Sequence, residues 1–172
     1  GIDWAWISFG SEGREEQTLI TDQDNAIIFQ VAKIEEISEK RKILLAFAKD
    51  VNDALADCGF ELCKGNIMAS NPELCLTLDE WTKQFGKAMQ QPDPQALLNS
   101  VIHFDLRYIS GRSELVNKLK SKIFGHTAQA GILLRAMAAQ AVDIDPPLGG
   151  LMRDFAYDDE NKYGKSIDLK LR

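Results

Sequence analysis

The chain lacks a cysteine framework. Its 172 residues include an odd number of cysteines, Cys58, Cys63 and Cys75, and no paired C-x-x-C spacing. Disulfide scaffolds and zinc ribbons need paired cysteines at set spacings, so the sequence argues against both. We therefore expect reduced thiols, mostly packed in the interior of a cytoplasmic protein.

An excess of positive charge is also missing. Lysine and arginine number 20 against 26 aspartates and glutamates, which gives a net charge of -6 and a pI near 5.0. Proteins that bind nucleic acid neutralise its phosphates with clustered lysines and arginines. This balance argues against a nucleic-acid partner.

No apolar run is long enough to cross a membrane. The longest, 128–142, is interrupted by Gln129, Arg135 and Gln140 and is too short for a transmembrane helix. No secretory signal precedes it. With 45% hydrophobic and 27% charged residues, the chain has enough apolar material for one ordinary domain, or for a domain with a small appendage. We expect no membrane partner.

A polar stretch between two apolar segments stands out near the start of the chain. Residues 4–10 and 26–29 have the aromatic and β-branched composition of buried strands. Between them, Asp22 and Asp24 are one residue apart, so on a strand both carboxylates point to one face and Gln23 to the other. Paired hard oxygen ligands suit Mg²⁺. The alternative is ordinary turn chemistry or a solvated strand edge.

This stretch resembles the signature of the DNA polymerase beta-like nucleotidyltransferase superfamily, in which Gly-Ser ends one strand and Asp-x-Asp occupies the next. The fuller string GSEGREEQTLITDQDNAI is similar to a branch found in bacterial signalling proteins. That branch often follows CBS or cyclic-nucleotide-binding domains and is related to the uridylyltransferase that modifies the PII protein. Further matching strings are CKGNIMASNP (63–72), LDEW (78–81), FDLR (104–107) and IDLK (167–170).

The resemblance implies a Mg²⁺-dependent enzyme, with Mn²⁺ as a second option. It would transfer a nucleoside monophosphate from a nucleoside triphosphate to a hydroxyl of a protein or small-molecule acceptor. The catalytic and metal-binding carboxylates would be Asp22, Asp24 and Asp105. The phosphate- and nucleotide-binding residues would be Gly10, Ser11 and Arg14, with weaker candidates in Lys64 and Asn66. The resemblance also implies upstream regulatory domains in a longer polypeptide.

The third carboxylate has a structural alternative. Asp105 lies on a predicted strand, 101–109, where His103 and Arg107 share its face. A charged pair on an apolar strand is often a structural ion pair, and a histidine there is more often packed or solvated than catalytic. Only the resemblance of the Asp-Leu-Arg string makes Asp105 a metal ligand or general base.

Helical patterns fill most of the remaining chain. Apolar residues recur at helical spacing from 34 to 58 and predict a helix that covers the sheet and ends at Gly59. Thr77 and Glu80 form a capping box that begins a helix running to about Gln90. Further helices are predicted at 114–124, capped by Ser113, and at 127–142. We also expect a short helix near 13–19, a strand that begins at 60–62 and a turn at 110–111.

The fold class that we expect is α/β (α+β), a small mixed sheet with flanking helices followed by a helical subdomain. The predicted domains are 1–112, a catalytic domain, and 113–172, the start of a helical substrate-binding domain. Two alternatives to an enzyme remain open: a regulatory module that senses a nucleotide without converting it, and an interaction domain whose site is idle. All three carboxylates are present, which favours the enzyme.

Overall fold

A computed structural model describes residues 1–17, 21–90 and 105–126, together with 157–158 and 166–167. The chain forms two compact units, Gly1–Leu133 and Leu134–Arg172. The first unit holds a four-stranded sheet and its helices. The predicted boundary at residue 112 and the helix predicted at 127–142 stay predictions, and that helix lies outside the described residues.

The sheet is built from two neighbouring antiparallel pairs and one parallel pair. Its strands are β1 (Asp3–Ser8), β2 (Asn25–Gln30), β3 (Cys75–Thr77) and β4 (Arg107–Gly111), in the spatial order β3-β2-β1-β4. β1 is antiparallel to β2 and to β4, whereas β2 is parallel to β3. The sheet is therefore mixed, which confirms the predicted fold class.

Four α-helices of the first unit are described: α1 (Gly10–Gly13), α2 (Ile37–Asp57), α3 (Leu78–Gln90) and α4 (Ser113–His126). α2 follows a 3-10 turn and ends before Gly59, whose φ of +97° only glycine adopts readily. At the start of α3, Glu80 N donates to Thr77 Oγ1 and Thr77 N donates to Glu80 Oε2, at 3.2 and 2.8 Å. The predicted capping box is confirmed.

Helices cover both faces of the sheet. The side chains of Trp6, Ile27 and Phe29 pack with Leu44 and Ala48 of α2 in one buried cluster. Because side chains alternate along a strand, the residues between them point to the other face. There α3 contacts β2, and α4 contacts β1, β2 and β4. The core thus lies on both sides of β1 and β2.

α2 covers less of the sheet than its apolar pattern predicts. Leu44, Ala48 and Asn52, spaced four residues apart, are its buried residues. The prediction that α2 covers the sheet is confirmed, but not all of its apolar residues take part. Ile34, in the 3-10 turn before α2, and Ile43 are 75% and 50% exposed. Phe47 is 39% exposed but packs against Trp4 of β1, with ring centroids 5.2 Å apart.

Three further local predictions need correction. The expected strand at 60–62 is a single bridge between Asp22 and Glu61, and the third strand is instead β3, which lies just before the capping box. β4 runs on through Gly111, which was predicted as a turn, because its φ of +90° lets its backbone approach Trp4 O closely. α1 is one turn at 10–13 rather than a helix starting near residue 13.

In the second unit, the described residues form a short antiparallel hairpin of β5 (Tyr157–Asp158) and β6 (Ser166–Ile167). Across the part of the chain that the structure describes, no helix is both long enough and apolar enough to span a membrane.

Candidate functional site

The Asp-x-Asp segment lies just before β2 and is held in an extended form by its neighbours. Asp22 bridges to Glu61, and Gln23 N donates to Glu61 O at 2.9 Å. One residue later, Asp24 O accepts from Phe9 N at 2.9 Å. These backbone bonds tie the segment to the loop after α2 on one side and to the end of β1 on the other.

The carboxylates of Asp22 and Asp24 converge, and a third donor joins them. Oxygens of both carboxylates and the sulfur of Cys63 lie within 4.8 Å of one another. Both aspartates are partly buried, and Cys63 is buried. Burial raises the pKa of the Cys63 thiol, which also hydrogen-bonds to Asp24.

A tight turn brings Cys63 to this position. Asn66 N donates to Cys63 O at 2.9 Å, and Asn66 has a φ of +55°, a conformation that asparagine tolerates better than most residues. Asn71 Nδ2 then donates to Asn66 O at 3.0 Å. Lys64 and Asn66 are exposed on this turn, and their predicted nucleotide contacts stay predictions.

Three buried amide side chains fix the other side of the segment. Asn52 Nδ2 donates to Gln23 Oε1 at 2.7 Å and to Asn25 Oδ1 at 3.0 Å. Gln23 Nε2 donates to the carbonyls of Asn52 and Phe60, each at 2.9 Å. Asn25 Oδ1 also accepts from Ala69 N, and Asn52 Oδ1 from Ser70 N. This network joins α2, the start of β2 and the loop after α2.

The turn of α1 follows β1 directly and carries the predicted Gly-Ser pair. Gly10 is buried and has a φ of +51°, which glycine adopts without strain. The first intrahelical bond runs from Gly13 N to Phe9 O at 2.9 Å. The N–H groups of residues 10–12 precede that bond, as the first donors of any helix do. They suit an external acceptor.

Gly13 fixes the distance between α1 and the chain that enters β4. A Cβ added at Gly13 would lie 1.8 Å from the backbone oxygen of Asp105, closer than any side chain permits. Arg107 Nε and Nη2 both donate to Glu12 O, at 3.2 and 2.9 Å. The predicted third carboxylate is thereby placed against the α1 turn.

Arg14, a predicted phosphate-binding residue, contacts Asp105, one of the predicted catalytic carboxylates. Its Nη1 donates to the carboxylate of Asp105, and its Nε donates to Glu16 Oε2 at 2.8 Å. The hydrogen bond to Glu16 is the main reason that the pKa of Arg14 is raised. Asp105 lies outside the 4.8 Å group of Asp22, Asp24 and Cys63. A triphosphate that binds Arg14 would compete with both of its carboxylate partners.

Glu12 also lies beside the Asp-x-Asp segment. Burial raises the pKa of its carboxyl, and the charge of Asp24 raises it further. The charge of Arg107 and a hydrogen bond from the backbone N–H of Asp24 act in the opposite direction. Glu12 therefore helps to hold the backbone of Asp24 in place.

Sequence reasoning brought Asp22 and Asp24 together but missed Cys63 and the buried amides. Asn52 did carry a usable signal, because it is a polar residue in register with Leu44 and Ala48 on the buried face of α2. For Cys63 the only signal was its place at the start of the matching string CKGNIMASNP, since its distance along the chain from Asp24 says nothing about proximity.

One comparison with known proteins identifies the family. The model of the family described as "Putative nucleotidyltransferase DUF294" matches residues 1–95. The chain belongs to this family. No curated protein and no solved structure matches it significantly. At a coarse level, membership of the DUF294 family makes this a nucleotidyltransferase domain, which takes a nucleotide as substrate.

The matched DUF294 region contains α1, the Asp-x-Asp segment and Cys63, and it ends before Asp105. Nucleotidyltransferases typically use divalent metals, and the donor set suits such an ion. Two carboxylates supply hard oxygens of the kind that Mg²⁺ and Mn²⁺ prefer, whereas the thiol is a softer donor. The residues present therefore fit a divalent cation.

A second feature of this DUF294 domain is an apolar groove of about 330 Å³ on the Gln23 side of the segment. Aromatic side chains form its walls, and Glu12 and Gln23 form a polar end. The aromatic residues are Trp4, Trp6, Phe47 and Phe60. Gln23 points away from the two carboxylates, but Glu12 also lies beside Asp24, so the groove adjoins the candidate metal centre.

Proposed function

We propose that this protein transfers a nucleoside monophosphate from a Mg²⁺-bound nucleoside triphosphate to an acceptor hydroxyl. The acceptor oxygen attacks the α-phosphorus, the bond to the bridging oxygen breaks, and pyrophosphate leaves. The observation that carries the proposal is the convergence of the Asp22 and Asp24 carboxylates close to the glycine-containing turn of α1. The resemblance to PII uridylyltransferase favours a regulatory protein as acceptor.

Asp22 and Asp24 would hold the ion, with Mn²⁺ as the alternative to Mg²⁺. When bound, the ion would supply positive charge that neutralises the negative charge building up as pyrophosphate departs. The backbone N–H groups of Gly10 and Ser11, and the Ser11 hydroxyl, would donate hydrogen bonds to phosphate oxygens. Arg14 offers forked donors that match phosphate geometry, once the triphosphate displaces its carboxylate partners.

Asp105 would act on the acceptor. The backbone of Asp105 lies against the α1 turn, and its carboxylate accepts a hydrogen bond from Arg14. The triphosphate would replace Asp105 as the partner of Arg14. Asp105 would then be available to ligate a second ion and to receive the proton of the attacking hydroxyl. Lys64 and Asn66, on the exposed turn beside Cys63, would contact the nucleotide. The net charge of -6 favours a protein or small-molecule acceptor over a nucleic acid.

A second candidate function is a sensor that binds a nucleotide without turnover. The position of Asp105 favours it, because this carboxylate is ion-paired with Arg14 and lies outside the group formed by Asp22 and Asp24. In a sensor that pairing would persist when the nucleotide binds.

The Asp105→Ala variant distinguishes the two functions. For an enzyme we expect turnover, measured as pyrophosphate release with a panel of nucleoside triphosphates, Mg²⁺ and a cell extract, to fall about a thousandfold or more. Nucleotide affinity should change only a few-fold, because the interaction is made mainly in the transition state.

Glu16→Ala is the matched control, since it also removes a carboxylate partner of Arg14 but keeps Asp105. Its turnover should stay within a few-fold of the parent. Turnover that survives Asp105→Ala would contradict the catalytic role. Tight nucleotide binding with no turnover under any condition would favour the sensor.

A further inference from the structure

We propose that Asp22, Asp24 and Cys63 form a three-donor site for a borderline-soft divalent cation of the zinc class, which competes there with Mg²⁺. The proposal rests on the proposed function in placing a metal at Asp22 and Asp24. It adds Cys63 as a ligand and, with it, a preference among cations.

The distances suit such an ion. Zinc bonds to oxygen and sulfur measure about 2.0–2.3 Å, so tetrahedral ligand atoms lie roughly 3.3–3.8 Å apart. The three donor atoms already lie within 4.8 Å of one another without an ion. The backbone is held before Cys63 by the bond from Gln23 N to Glu61 O, and after it by its turn and by the bond from Asn25 N to Ile67 O. With the chain fixed in this way, rotation of the two carboxylates would close the remaining gap.

The chemistry of the donors decides the preference. Mg²⁺ binds carboxylate oxygens and water and gains little from sulfur, whereas a thiolate binds zinc-class ions strongly. Cys63 hydrogen-bonds to Asp24. When the sulfur binds a zinc-class cation, its S–H bond breaks and the proton leaves to solvent.

A bound zinc-class ion would change the number of coordination positions that are open to water and phosphate oxygens. Three protein ligands leave one open position on a tetrahedral ion, whereas Mg²⁺ held by two carboxylates keeps several positions for water and phosphate oxygens. We therefore expect the zinc-class ion to displace Mg²⁺ and to lower nucleotidyl transfer.

Cobalt(II), a spectroscopic substitute for zinc, tests the proposal in the full chain without any assay of activity. Titration should give one equivalent of bound ion with a thiolate-to-cobalt charge-transfer absorption. Cys63→Ser should abolish that absorption and weaken zinc binding at least about a hundredfold, since even the loss of an outer-shell partner costs 10–100-fold. Mn²⁺ affinity should change only a few-fold. Cys58→Ser, which removes an exposed thiol, is the matched control and should behave like the parent.

Cys63→Ala provides a second variant if the serine disturbs folding, and thermal unfolding of the metal-free proteins verifies that each variant is folded. Retained charge-transfer absorption in both variants would overturn the proposal. So would equal zinc affinity in parent and variants. Binding of Mn²⁺ through Asp22 and Asp24 without any thiolate signal would refute the role of Cys63 and leave the proposed function standing. Absence of all metal binding would refute both.

Discussion

Asp22 and Asp24 face one side of the same four-residue segment, and Gln23 and Asn25 face the other. On the first side, two carboxylates meet a thiol that hydrogen-bonds to one of them. On the second side, two amides meet the amide of Asn52, with bonds of 2.7 and 3.0 Å. Residues whose side chains could bind a metal therefore alternate with residues whose side chains hold the backbone in place.

The difference shows how neutral side chains can hold an anionic pair close together. Two carboxylates side by side repel each other. Buried neutral amides hold the backbone firmly when every donor and acceptor is paired, and they add no charge to the site. Gln23 and Asn25 thus fix the backbone in a position that keeps the carboxylates of Asp22 and Asp24 close together.

The largest effect is expected when the carboxylate side is neutralised. In Asp22→Asn combined with Asp24→Asn, turnover should fall about a thousandfold or more. Mg²⁺-nucleotide at a hundred times its dissociation constant, which stabilises the parent by roughly 2.7 kcal/mol, should no longer have a metal-dependent effect. Thermal unfolding with and without Mg²⁺ measures this effect.

The metal-free fold of this double variant should remain intact, because the amide side is untouched. The pair Asp50→Asn and Asp53→Asn, on exposed positions of α2, makes the same change in charge and should keep the full metal-dependent shift. An unchanged shift in the Asp22 and Asp24 variant would rule out the metal assignment.

A smaller loss, this time of stability, is expected when the amide side is broken. Asn52→Ala removes the partners of Gln23 Oε1 and Ser70 N, and each unpaired buried group costs about 1–3 kcal/mol. The free energy of unfolding in urea should fall by roughly 2–5 kcal/mol. Metal affinity should fall as well, because the backbone of the Asp-x-Asp segment loses its support.

Asp53→Ala is the control on the next residue of α2. It removes only an exposed ion pair with Lys49 and should leave the free energy of unfolding nearly unchanged. If Asn52→Ala proves equally mild, the two sides of the segment do not differ in the way described above.

The smallest effect is expected at a site that belongs to neither side. Burial raises the pKa of Glu80, but hydrogen bonds from Arg41 and Thr77 outweigh it and bring the pKa below its ordinary value. The carboxylate therefore stabilises the fold above the ordinary glutamate pKa, and this contribution is lost as the pH falls through the lower folded value. Glu80→Gln should remove it.

Because the Glu80 side chain is 36% exposed, solvent screens the ion pair and the loss at pH 7 should stay below about 1 kcal/mol. Urea unfolding of parent and variant at pH 7 and pH 3 measures it. The difference should shrink at the lower pH, while metal affinity at pH 7 stays unchanged. A difference that grows on acidification would contradict this sign.

Local chemistry made parts of the fold predictable. Gly59 ends α2 and the Thr77–Glu80 capping box begins α3 because each depends on residues only a few positions apart. β1 and β2 followed from composition, and the mixed sheet followed from the family resemblance. β3 was missed because a strand of three residues has too little pattern to detect.

The candidate site depends on contacts between residues that are far apart in the sequence, and local sequence patterns do not predict such contacts. Convergence of Asp22 and Asp24 follows from the alternation of a strand, whereas Cys63 reaches them only through the turn after α2. The cysteines have no paired spacing in the sequence, and this argued against a zinc site. The donors that lie beside Cys63 in the fold are instead two aspartates. Asp105 meets Arg14 only because β4 pairs with β1, and the catalytic role predicted for it stays a prediction.

The pairing of β4 with β1 also has a consequence for how the domain assembles. Ser8 pairs with Arg107, so closing this contact orders a loop of about a hundred residues, at an entropic cost of roughly 4 kcal/mol plus a constant. Contacts of such long range form late in folding. A chain cut after residue 95, where the family match ends, would lack β4 and leave β1 as an open, aggregation-prone edge of the sheet. In the full chain, Asp105 reaches Arg14 only once β4 has docked on β1.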